Sequence, residues 1–241
     1  MIIATWSGGI DSTAVLGNLL QQGRDVHAVS LGIYEYQQPK MWQRERTARE
    51  LLMPTMEQIA ENKNCSFTYS EHPAEWIWAF SPDGVEIPNR NRHIIDHLIT
   101  QHCMPSGCKD IAMGEYIGAD SWVVQDHVDA MDADTRSLSS YLLLQWGLSY
   151  RLWTLADFGT SRFKHHRMSQ LIEAIGEDAA QLTTNCLHNT DRHCGECYKC
   201  VERFVAFGMC MVEDKTEYET LPQNDSKVSE YLKQMAEQIG I

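Results

Sequence analysis

Apolar positions along the chain follow two alternating patterns. Short unbroken apolar runs, of which Ile2-Ile3-Ala4 is the first, read as strands buried on both faces. Longer stretches with apolar residues three and four apart read as helices. The first run, 2–6, is followed by a glycine turn and a helical pattern over 11–22 that Gly23 stops. A second strand is predicted at 26–33, a helix at 42–62 that Pro54 should kink or split, and a third strand at 66–69. The segment 72–92, rich in Pro, Trp and Gly, has little periodicity and reads as a long loop or flap. Helical patterns return at 93–103, 136–147, 167–175, 201–211 and 228–238, and 111–114 reads as a short strand ending in glycine. Strands alternating with helices predict an α/β fold, a Rossmann-like parallel sheet built from βαβ units.

A length of 241 residues suits one large domain with a small appendage. The division expected is 1–180 for the sheet domain and 181–241 for a C-terminal region packed on it. No apolar run nears the roughly 20 residues of a membrane-spanning helix. The start, Met1-Ile-Ile-Ala-Thr-Trp, carries no basic stretch before its apolar run, unlike a signal peptide, so a cytoplasmic protein is expected. The net charge of −13 argues against a broad basic face for nucleic acid and favours a small-molecule or protein substrate.

The segment Ser7-Gly8-Gly9-Ile10-Asp11-Ser12-Thr13 joins the first strand to the first helix, where a phosphate can meet unpaired helix N–H groups. Gly8 and Gly9 let the backbone approach an anion. Ser7, Ser12 and Thr13 add hydroxyls. A carboxylate beside a phosphate site points either to Mg2+ or to a helix cap, which gives Asp11 two readings. The spacing lacks the Lys-Ser/Thr of a P-loop and is not the dinucleotide fingerprint. A plain glycine turn capped by Asp11 or Ser12 fits the same residues. Ser-Gly-Gly-Ile-Asp-Ser after an N-terminal strand resembles the PP-loop of the ATP pyrophosphatases. That resemblance implies ATP with Mg2+, cleavage between the α and β phosphates, and release of AMP.

Four of the eight cysteines cluster: Cys186, then Cys194-Gly-Glu-Cys197-Tyr-Lys-Cys200. Four thiolates at this spacing can close a tetrahedral, structural Zn2+ site. An iron–sulfur cluster is the competing ligand.

The two ends together resemble the 7-cyano-7-deazaguanine synthases, the QueC-like family. Arg90-Asn91 after Pro88, and Ile111-Ala-Met-Gly114, match family points that implicate Arg90, Asn91 and Gly114 in holding ATP. Lys164 matches a family lysine near the ATP phosphates; Arg167 would share its role, Asp11 would orient Mg2+, and the backbone N–H groups of Gly8, Gly9 and Ile10 would hold the pyrophosphate. The resemblance implies a cytoplasmic ligase of queuosine biosynthesis. It would adenylate the carboxylate of a 7-deazaguanine-like base, then admit ammonia or another amine, including one on a protein, to give an amide, a nitrile or a conjugate. It also implies a homodimer.

The chain departs from the family after Gly114. The family's Asp-aromatic-Ser-Gly-Tyr-Pro-Asp-Cys-Arg segment is missing, and Asp120, Ser121 and Trp122 stand in its place. Asp120 would meet ring N–H donors and Trp122 would stack on the base, with Asp132, Asp134 and Arg136 as further candidates. Two other readings fit the motifs. A PP-loop tRNA sulfurtransferase would use Cys103 or Cys108, and a non-catalytic nucleotide-binding subunit would keep the loop alone.

Overall fold

The computed structural model describes residues 1–32, 38–72, 97–114, 151–153, 155–158, 164–222 and 226–239. Among the described residues there are five strands: β1 (Ile2–Thr5), β2 (Val26–Leu31), β3 (Phe67–His72), β4 (Asp110–Ala112) and β5 (Arg151–Trp153). They form one sheet in the order β3-β2-β1-β4-β5, with every neighbouring pair parallel. Ile2 sits opposite Val26, Ile3 opposite Ile111, and Leu31 opposite His72. This is the expected Rossmann-like α/β architecture. Its strand order reverses between β1 and β4, which is where ligands bind in open α/β sheets.

Among the described residues a 3-10 helix (Leu155–Phe158) and seven longer or α-helical segments accompany the sheet: α1 (Ile10–Gln21), α2 (Pro39–Lys63), α3 (97–106), α4 (Lys164–Ile175), α5 (Glu177–Gln181), α6 (Tyr198–Met209) and α7 (Ser226–Ile239). α1 starts from an extended Gly9 and ends where Gly23 takes φ +68° and donates to Leu20 O at 2.8 Å. α2 has Pro39 in its first turn and ends at Asn64 in the left-handed region. Pro54 does not split α2. It lies on the exposed side, where water can satisfy the carbonyl its ring leaves without an N–H. α3 is wound as π-helix over its middle, Ile99–Cys103.

Side-chain alternation puts one core on each face of the sheet. Ile2, Ala4, Val26 and Ala28 pack under Leu16, Leu19, Leu20, Leu52 and Leu171 of α1, α2 and α4. Ile3, Val29, Ile111 and Met113 pack under Leu98, Ile99 and Cys103 of α3. Ala206 and Phe207 of α6 enter the first core. The C-terminal region also reaches the first loop directly, since Thr184 N–H donates to Gly8 O at 3.0 Å.

β5 carries no strand signal in the sequence, being three residues long with no alternation to read. The helix expected at 136–147 and the loop over 73–92 lie outside the described residues. Among the described residues no helix is long and apolar enough to cross a membrane.

Candidate active site

A cleft of about 280 Å³ opens at the carboxyl ends of β1, β2 and β4, at the switch point of the sheet. Its floor is the turn after β1, with Ser7, Gly9, Ile10, Asp11 and Ser12 on the lining. Val29, Ser30 and Leu31 form one side, and Met113 and Gly114 another. A Cβ on Gly114 would run into the backbone N and Cα of Ser12, so only glycine lets β4 come this close to the start of α1.

The turn is organised from within. Ser7 Oγ lies 3.0 Å from Ser12 Oγ, and Gly9 N–H donates to Ser7 Oγ at 3.2 Å. Gly8 takes φ +83° and packs toward α2, where a Cβ would meet Glu45 O at 2.8 Å. Of the loop residues expected to meet ATP, Gly8 and Thr13 are therefore not on the cleft lining. Thr13 is fully buried and accepts from Trp6 Nε1–H at 3.1 Å. Ser7, Gly9, Ile10, Asp11, Ser12 and Gly114 do come together at the cleft.

The turn is also braced from behind. Arg49 is 1% exposed and donates to Ser7 O at 3.0 Å, Tyr69 Oη at 3.0 Å and Glu71 Oε2 at 3.1 Å. Arg44 donates to Cys186 O at 3.2 Å and His188 O at 2.7 Å. The pattern 44–49 reads in sequence as a solvated charged face. In the fold two of its arginines fasten other segments to α2.

Lys164 and Arg167, at the start of α4, converge on Asp11 in the first turn of α1. Lys164 Nζ lies 2.5 Å from Asp11 Oδ2, and Arg167 Nη1 lies 3.0 Å from Oδ1. Both cations are buried, and the carboxylate is 19% exposed. Burial alone would raise the Asp11 pKa. The charges of Arg167, Lys164 and Lys199 outweigh it and hold the carboxyl well below the usual carboxylate range. Asp11, expected to orient Mg2+, has a cation on each of its oxygens here, and this geometry places Lys164 and Arg167 beside the cleft.

Two groups on the cleft wall carry no sequence signal of their own. Lys199 sits between two clustered cysteines, so its place reads as spacing within the thiol motif. Glu45 reads as one more charge on α2. Both line the cleft. Burial pushes the Glu45 carboxyl up to about 7, against the pull of Arg49 and Arg44. A raised carboxyl contributes stability that is full below about pH 4.5 and is lost as pH climbs through 7. Glu45→Gln is expected to flatten the pH dependence of the melting temperature across that window. An unchanged slope in thermal melts at stepped pH would show that Glu45 does not titrate there.

Cys186, Cys194, Cys197 and Cys200 are all buried, and their sulfurs lie within 4.8 Å of one another. Cys194 Sγ and Cys200 Sγ are 3.9 Å apart, against about 3.8 Å for two sulfurs on one tetrahedral zinc. Backbone N–H groups of Cys194, Glu196 and Cys197 point at the sulfurs from 3.3 to 3.4 Å, as they do around charged thiolates. The cluster is compatible with zinc and has no open ligand position. It is also part of the cleft, because Thr184, Asn185, Cys186, Leu187 and Lys199 line one wall.

Cys103 and Cys108 lie in the α3 core and do not line the cleft. Arg90, Asn91, Asp120 and Trp122 lie outside the described residues, as do Asp132, Asp134 and Arg136.

The sheet order, the cleft at its switch point and the buried four-thiol cluster define a Rossmann-like α/β protein with a C-terminal cluster that fits a zinc site. No protein-family model matches it. The chain is QueC-like in its relatives, being similar over most of its length to 7-cyano-7-deazaguanine synthases. One from Pseudoalteromonas translucida is 25% identical over 229 residues, covering 90% of this chain and 98% of the relative. One from Methanoregula boonei is 23% identical over 230 residues, covering 88% and 96%. A stretch of 39 residues is 46% identical to the Brucella ovis synthase, 16% of this chain and 17% of that one.

Proposed function

We propose that the chain is an ATP-dependent ligase that adenylates the carboxylate of a 7-deazaguanine-like base and passes the acyl group to a nitrogen nucleophile. The observation that carries this reading is the convergence of Lys164, Arg167 and Asp11 on the first turn of α1, beside a cleft at the sheet's switch point. The end-to-end likeness to 7-cyano-7-deazaguanine synthases supports the choice of base.

In this reading the Ser7–Ser12 turn and the free N–H groups at the start of α1 cradle the polyphosphate. A substrate carboxylate oxygen attacks the α-phosphorus. The bond to the bridging oxygen breaks, and pyrophosphate leaves with the electron pair. Lys164 and Arg167 neutralise charge as it builds on that leaving group, and Asp11 keeps both in place. Ammonia then attacks the acyl carbon and AMP departs, leaving the amide. A second activation, of the amide oxygen, would allow dehydration to the nitrile. Mg2+ would accompany ATP, with no step assigned to it. The described residues supply the nucleotide half of the site; the segment around Asp120 and Trp122 is assigned to the base.

Incubation with ATP, Mg2+, ammonia and 7-carboxy-7-deazaguanine is expected to release AMP and pyrophosphate in step with base consumption. Release of ADP and phosphate, or no base-dependent turnover, would overturn the proposal.

A further inference from the structure

Edge strand β3 carries an unusual face. Phe67 and Tyr69 pack toward Trp6 on one side, while the side toward α3 reads Thr68, Ser70, His72. His27 of β2 continues that polar face. Both of its ring nitrogens are engaged, Nδ1 with Thr68 Oγ1 at 2.8 Å and Nε2 with Ser70 Oγ at 3.0 Å. α3 covers the neighbouring apolar face with Leu98, Ile99 and Cys103, and brings two more histidines to this edge.

We infer that His72, His97 and His102 form a second metal site, separate from the four thiols, that takes a divalent first-row transition ion such as Zn2+. One ring nitrogen from each lies within 4.8 Å of the others. His72 Nε2 and His102 Nε2 face each other at 3.0 Å. On a tetrahedral ion with bonds of about 2.0–2.1 Å, nitrogens sit about 3.3 Å apart, so the third needs a shift of roughly an ångström or two.

The backbone supplies a second, independent observation. His97 and His102 are five residues apart, a spacing that an α-helix sends to different faces. The π turns at Ile99–Cys103, with their i→i+5 bonding, bring the two rings to one side. The ring of His97 stands 5.1 Å from that of His72, and among the described residues its buried Nε2 has no hydrogen-bond partner. A hydrogen-bonded His72–His102 pair would leave that nitrogen unexplained, whereas a shared ion gives it a ligand role. Neutral imidazole is the form that ligates, and a histidine's ordinary titration range lies below pH 7. Imidazole donors suit zinc, nickel and copper, and three of them leave one position for water or an anion. None of the three lines the nucleotide cleft, so the site stands apart from the proposed ligase chemistry.

The test is zinc stoichiometry on the untagged full chain, by equilibrium dialysis against Zn2+ with elemental analysis. Wild type should hold two zinc ions per chain. His97→Gln and His102→Gln should each hold one, with affinity for the second weakened at least tenfold. Retention of the thiolate-bound ion reports that each variant is folded. Co2+ provides a second readout: its second equivalent should add ligand-field bands without further thiolate charge transfer, and both variants should lose them. Saturation of wild type at one ion per chain, or survival of the second equivalent in both variants, would overturn the inference.

Discussion

Lys164→Met is expected to slow base-dependent AMP formation by about 10²–10³-fold, the loss typical of removing one donor aimed at developing charge. The loss should fall mainly on kcat, since the added charge on the departing bridging oxygen develops only as the bond breaks. Methionine keeps much of the lysine stem's volume in a site where the side chain is 1% exposed, so packing should survive. Zinc content should not change. A variant within threefold of wild type would remove Lys164 from the mechanism. Asp11→Asn should match that rate loss and add a stability loss of about 3 kcal/mol, because two buried cations lose a counter-charge. The sign of its pH dependence is fixed. A carboxyl held below its unfolded value contributes stability above about pH 4 and loses it as acid protonates the group. Acid denaturation should therefore be shallower in Asp11→Asn than in wild type.

The other large effect is expected from the thiols. Cys200→Ser, or a strong chelator, should strip the metal and weaken ATP binding at least tenfold, although no thiol is assigned a contact with ATP. Structural zinc binds zinc-finger peptides with roughly 10–16 kcal/mol, and most of that energy serves folding. Here the folded product includes the cleft wall at Thr184, Asn185 and Lys199. Hydrogen exchange should accelerate over 183–200 and spread to the Ser7–Ser12 turn through the Thr184–Gly8 hydrogen bond. Unchanged nucleotide affinity in the metal-free chain would separate the two sites.

Much of the architecture was legible because it rests on local pattern. The run at Ile2 and the glycine turn before Asp11 announce a strand, a turn and a helix in that order, and the cysteine spacing announces a tetrahedral cluster whatever the fold. What was not legible depends on distant partners. Nothing near Glu45 in sequence says that it faces the cleft; only the packing of α2 against the turn does. The arginines of α2 look solvated until the thiol knot and the edge strand are folded onto them. The pairing of Asp11 with Lys164 and Arg167 joins residues more than 150 apart, a contact that local spacing does not carry. The histidines of β2, β3 and α3 are scattered in sequence and meet through sheet register and π winding.

The bracing of the first turn by Arg49 has a further consequence. A glycine-rich segment would ordinarily be ordered only when its ligand arrives, and that entropy would be subtracted from affinity. Here a buried guanidinium ties the segment's Ser7 carbonyl to Glu71 of the edge strand, a restraint that the fold supplies without a ligand. In the proposed reaction an incoming polyphosphate would meet a turn already held in place, and its binding energy would remain available for bringing the reacting atoms together.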